Sequence, residues 1–163
     1  MLAIVGKATP NENGDIELYL KQFARMLEDN GKFVYAWSFN PKQEAIDYLQ
    51  RSLARHEDVF LHLSVSGKVS CLRMRITDFY HCRTTGTRCP DKWDMHCIDD
   101  LRNISSLTPK KPIHLWFLIE TIEDDMPEPV YLSTEHHLTP FRPVFQNQYS
   151  TWGQNYFAFL TTK

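Results

Sequence analysis

His81, Cys82, Cys89, His96 and Cys97 bring imidazoles and thiols together within residues 81–97, a donor set that suits zinc. The spacing does not. The pairs His81-Cys82 and His96-Cys97 each stand six residues from Cys89, whereas strong zinc motifs space their ligands two to four residues apart. No metal is therefore expected, and Cys82, Cys89, His96 and Cys97 remain only the set that would hold zinc if it were bound. A second group suits a nucleobase. Trp37 offers a stacking face worth about 1 to 3 kcal/mol, and Ser38, Asn40 and Ser64 offer donors and acceptors for a base edge. The competing reading makes Trp37 core and Asn40 a helix cap. A third group suits phosphate. Lys68, Arg73, Arg75, Arg83, Arg88 and Lys92 against Asp78 and Asp91 leave a local excess of four positive charges over Gly67–Lys92, and Arg73 and Arg75 share one strand face. The competing reading is a solvated face.

Catalytic signatures are sparse. Gly-rich phosphate loops, Gly-x-Ser-x-Gly elbows and His-Glu-x-x-His helices are absent from the sequence. Glu135, His136 and His137 could join Asp124 or Asp125 in a hydrolytic site, but neighbours on a strand point to opposite faces. No enzymatic activity and no cofactor are expected. A small hydrolase or nuclease is the catalytic alternative, and a protein-interaction scaffold using the aromatic surface is the other.

The elements that would position these residues follow from periodicity. Ile16, Leu20, Phe23 and Leu27 predict a helix over 15–30 that ends at Asn30-Gly31. KFVYAWSFN alternates as a strand with both faces half buried. Asn40, Pro41 and Gln43 read as a capping box opening a second helix striped by Ala45, Ile46, Leu49 and Leu53. DVFLHLSV and VSCLRMRI alternate around Ser66-Gly67 and predict a hairpin with Leu72, Met74 and Ile76 inward. Periodicity is lost from Tyr80 to Met95, which reads as a long functional loop. IHLWFLIE is the clearest central strand. EDDMPEP reads as a turn, PVYLS as a short edge strand and QNYFAFL as a last strand. About six strands with helices gathered toward the N-terminal half predict an α+β fold: a small curved sheet or barrel flanked by helices.

The strand KFVYAWSFN, the helix after it and the strand pattern apolar-x-apolar-Ser-Val-x-Gly resemble the YTH and EVE branches of the PUA-like superfamily over residues 32–79. The resemblance implies a small β-barrel that binds RNA or DNA and seats one extruded, modified base in an aromatic pocket. Trp37, Ser38, Asn40 and Ser64 carry over position by position. The aromatic segment that YTH domains place between the helix and the next strand is missing, since only LARHED joins Leu53 to Val59. Trp93, on the long loop, is the residue expected to replace it as the second stacking wall.

Composition sets the bounds. With 163 residues, 42% hydrophobic and 23% charged, the chain can bury a core and is expected to form one domain over 1–163. A net charge of −2 gives no general basic field, so a polyanion must be met by a local patch. The start lacks signal-peptide organisation and no run of 18 apolar residues occurs, which leads to the expectation of a cytoplasmic protein with reduced Cys71, Cys82, Cys89 and Cys97. The function expected is a non-catalytic nucleic-acid reader that takes an extruded modified base, serving as the targeting domain of a larger chain or complex and without a membrane partner.

Overall fold

The structure is a computed structural model that describes residues 2–7, 16–37, 40–64, 70–102, 112–127, 131–132 and 156–160. Its elements are β1 (Leu2–Lys7), α1 (Ile16–Asn30), β2 (Phe33–Trp37), α2 (Gln43–Ala54), β3 (Val59–Ser64), β4 (Ser70–His81), a 3-10 helix (Asp91–His96), α3 (Asp99–Arg102), β5 (Leu115–Pro127), β6 (Tyr131–Leu132) and β7 (Tyr156–Leu160). The α+β class stands. The chain divides into two compact units. One comprises Met1–Ala8, Pro41–Arg75 and Ile122–Lys163, the other Thr9–Asn40 and Ile76–Thr121.

In the first unit the strand order is β4-β3-β1-β7-β6. β3 and β4 form the expected antiparallel hairpin, with Leu61 opposite Met74 and Leu63 opposite Leu72. β1 runs parallel to β3, Ile4 facing Leu61, and antiparallel to β7, Ile4 facing Phe157. β6 is an edge, as its short Pro-flanked sequence implies. Every residue from Val59 to Leu63 is buried, so β3 is covered on both faces rather than alternating. The stripe of α2 is buried at Ala45, Ile46 and Leu49, and α2 packs beside β3. Its C-terminus turns on His56 in the left-handed region, φ 58°, with the His56 and Glu57 amides returning to the Leu53 and Ser52 carbonyls.

In the second unit the order is β2-β5-β4, which makes IHLWFLIE the central strand. Tyr35 lies opposite Phe117 and Trp37 opposite Leu115. One face of β2 is covered by α1: the Phe23 ring stacks on Phe33 at 4.7 Å and lies 5.9 Å from Tyr35. α1 closes as its sequence dictates, with Gly31 at φ +73° donating its amide to the Leu27 carbonyl.

Four expectations need correction. β1 was not expected. EDDMPEP does not turn, because β5 continues to Pro127. The long loop is shorter than expected: β4 extends to His81 and residues 91–96 form the 3-10 helix. The ladder of each unit is open, and among the described residues no pairing closes it into a barrel. Among the described residues no helix is long and apolar enough to cross a membrane.

Candidate functional site

The topology of the second unit gathers polar side chains at one sheet end. β2 runs antiparallel to β5, whose other neighbour is β4, and hydrogen bonds join the residues that follow β2, close β4 and precede β5. Asn40 is the first of these. It does not cap α2: the N-cap is Lys42, with no side-chain capping bond, and the Lys42 carbonyl takes the Ala45 and Ile46 amides instead. The Asn40 amide Nδ2 donates to the Arg83 carbonyl at 3.0 Å. That leaves Oδ1 to accept from His81 Nε2 at 2.8 Å, which fixes the proton of neutral His81 on Nε2. Burial, followed by the His114 and Arg83 charges, holds His81 below the ordinary imidazole pKa.

Cys82 and His114 exchange bonds. The Cys82 amide donates to the His114 carbonyl at 2.9 Å, and His114 Nδ1 donates to the Cys82 carbonyl at 2.8 Å. Further along, the Thr87 amide donates to the Ile113 carbonyl at 2.8 Å, and Trp116 Nε1 donates to the Thr87 hydroxyl at 3.1 Å. Trp116 is fully buried, so this hydroxyl satisfies an indole N–H that would otherwise cost about 1 to 3 kcal/mol. The segment 82–88 is thus held by Asn40 and by residues 113–116 at the start of β5, while Arg83, Thr84, Thr85 and Arg88 are exposed.

The Cys82 thiol lies 3.5 Å from the Thr85 hydroxyl and 3.9 Å from that of Thr84, contacts that lower its pKa, Thr85 first. Among the described residues no hydrogen bond joins this thiol to an imidazole: His81 is spent on Asn40 and His114 on a carbonyl. A Cys–His nucleophile is therefore not assembled at this sheet end.

The remaining candidates fall differently. Trp37 and Trp93 are each only 4% exposed. Trp37 packs 5.9 Å from Phe117, its diagonal neighbour on the same sheet face, and Trp93 turns inward from the 3-10 helix. Both are core, so the expectation of two open stacking walls is corrected. Ser38 and Lys68 lie outside the described residues, as do Glu135, His136 and His137; Ser64 ends β3, and its side chain lies outside them too.

In the first unit, Arg73 lies over the Phe60 ring at 4.1 Å and 3.7 Å from Glu123, while Arg75 meets Asp58 at 2.8 Å. Each guanidinium thus has a carboxylate of the chain beside it. Lys92 lies 3.9 Å from Asp78 and over Trp93. The weak zinc set is not gathered: among the described residues no three His, Cys, Asp or Glu side chains are placed to hold a metal ion. Cys82 keeps to its threonines, and the Cys89 thiol donates to the Pro90 carbonyl at 3.7 Å.

Sequence reasoning missed Tyr80. At 40% exposure it is the large aromatic left open among the described residues, one position before the Asn40–His81 contact. The sequence places it at the start of the aperiodic stretch 80–95, where nothing singles it out. No protein-family model, curated protein or solved structure matches the chain.

Proposed function

We propose that the chain is a nucleic-acid-binding module that reads DNA or RNA without chemistry, as the targeting part of a larger chain or complex. The observation that carries this reading is the segment 82–88, held by Asn40 and Trp116 with Arg83, Thr84, Thr85 and Arg88 exposed at its surface. Ordered donors of this kind suit phosphate and sugar oxygens, which take most protein–nucleic acid hydrogen bonds. Tyr80 supplies the stacking face that Trp37 and Trp93, being core, do not. The finer assignment to the EVE or YTH branch of the PUA-like superfamily belongs to the same proposal. Its support is the strand–helix–strand order over β2, α2 and β3 and the β3–β4 hairpin that follows.

Fluorescence anisotropy with labelled single-stranded DNA and RNA, carrying plain or modified bases, tests it. Saturable binding is expected at low salt. Tyr80→Ala should weaken it by about 1 to 3 kcal/mol and lower the unfolding midpoint less than loss of a fully buried aromatic would, because Tyr80 is 40% exposed. Absence of binding to every oligonucleotide would overturn the reading in favour of a protein-interaction scaffold.

A further inference from the structure

His81 closes β4 and is partly exposed. Its Nε2 donates to Asn40 Oδ1 at 2.8 Å, and the Asn40 amide cannot turn over, because its Nδ2 is committed to the Arg83 carbonyl at 3.0 Å. Oδ1 therefore faces the ring whether His81 is neutral or cationic. The proton that makes the ring cationic must be added at Nδ1, which takes no bond from the described residues. Titration adds a charge and a donor here without breaking a contact. His114, which precedes β5, holds the Cys82 carbonyl at 2.8 Å. Beyond the burial of His81, the charges that act on it are those of His114 and then Arg83, both of which oppose a second proton. Among the described residues no carboxylate offsets them. An imidazolium at this position has to find its counter-ion outside the described residues.

We propose that His81 is a further phosphate contact of the nucleic-acid site, taking up a proton at Nδ1 as the polyanion binds and donating it to a phosphate oxygen. The inference rests on the nucleic-acid reading above and adds a pH dependence to it. The proton comes from solvent and returns there on release, and the bond it makes is charge-assisted. A phosphate beside the ring favours the imidazolium, so His81 holds its proton to higher pH in the complex than in the free chain. By linkage, affinity is flat well above the bound-state pKa, rises as pH falls through it, and levels off below the free-state value. Each unit by which the anion raises that pKa corresponds to about a tenfold gain in affinity. Arg83 and Arg88 cannot produce this dependence, because a guanidinium stays charged throughout the range.

Anisotropy of rhodamine-labelled oligothymidylate, at constant low salt from pH 8 to pH 5, tests it. Neither thymine nor the phosphodiester titrates in that window, and circular dichroism at each pH checks that the chain is folded. Affinity should rise by about tenfold toward pH 5 for a one-unit rise of the His81 pKa. His81→Gln, whose side-chain amide can still donate to Asn40 Oδ1, should match the unmodified chain at pH 8 and gain less as pH falls. In the unmodified chain the His81 ring signals, followed by NMR, should titrate at higher pH with the oligonucleotide than without it, which decides the matter if the variant does not fold. Binding at pH 8 with parallel pH profiles for the two chains, or with His81 titrating alike in free and bound protein, overturns the inference and leaves the nucleic-acid reading standing. Absence of binding by any oligonucleotide at every pH overturns both.

Discussion

Trp37→Ala should destabilise the chain by about 3 to 5 kcal/mol, the cost of deleting a large aromatic side chain from a packed core. The ring is 4% exposed and packs on Phe117. Phe23, from α1, covers Phe33 and Tyr35 on the same face of β2. Alanine leaves a cavity that backbone hydrogen bonds on β5 hold open, since Trp37 pairs with Leu115 and Tyr35 with Phe117. Urea unfolding followed by circular dichroism measures the loss. A stacking wall would behave otherwise: its removal would lower affinity and leave stability nearly untouched. A stability change under about 1 kcal/mol would therefore show that the indole is not core.

Acid should weaken the first unit through His62. Burial, and after it the charge of Arg73, pushes its pKa down from the ordinary 6.5 to about 3. Below pH 6.5 the unfolded chain takes up a proton at this imidazole that the folded chain refuses. Stability present above pH 6.5 is therefore lost as pH falls toward 3. Between pH 7 and pH 4 the loss is about 3 kcal/mol, at 1.36 kcal/mol for each pH unit below 6.5. His62→Gln removes the titrating group. The unmodified chain should lose about 3 kcal/mol more than the variant across that window, with His81, lowered for its own reasons, contributing equally to both. Parallel pH profiles would contradict the assignment, as would a His62 ring signal that titrates near its ordinary value in the folded protein.

Local patterns in the sequence were sufficient where the structure is local. The spacing of Ile16, Leu20, Phe23 and Leu27 and the glycine at 31 define α1 and its end, and alternation on either side of residues 66–67 defines the β3–β4 hairpin. β1 escaped because six terminal residues with no alternation gain their place only from β3 and β7, far along the chain. Asn40 misled for the opposite reason. Asn-Pro-x-Gln satisfies the capping pattern, but His81 and the Arg83 carbonyl, more than forty residues away, take the side chain instead. Tertiary partners outweighed a local preference worth about 1 kcal/mol.

Charge was legible as a count but not as an arrangement. Arg73 and Arg75 do share a face, yet that face also meets Glu123 and Asp58, carboxylates that lie outside the basic window in sequence. Arg83 and Arg88 are exposed on a loop held in place by Asn40, His114 and Trp116.

The most direct test of nucleic-acid binding is the salt dependence of oligonucleotide affinity, compared between the unmodified chain and the double variant Arg83→Ala, Arg88→Ala. The expected result is a linear fall of log affinity with log salt concentration. Its slope should shrink by about 0.7 to 0.9 for each lost phosphate contact, alike for every sequence. An unchanged slope in the double variant, or no measurable affinity at low salt, would contradict it.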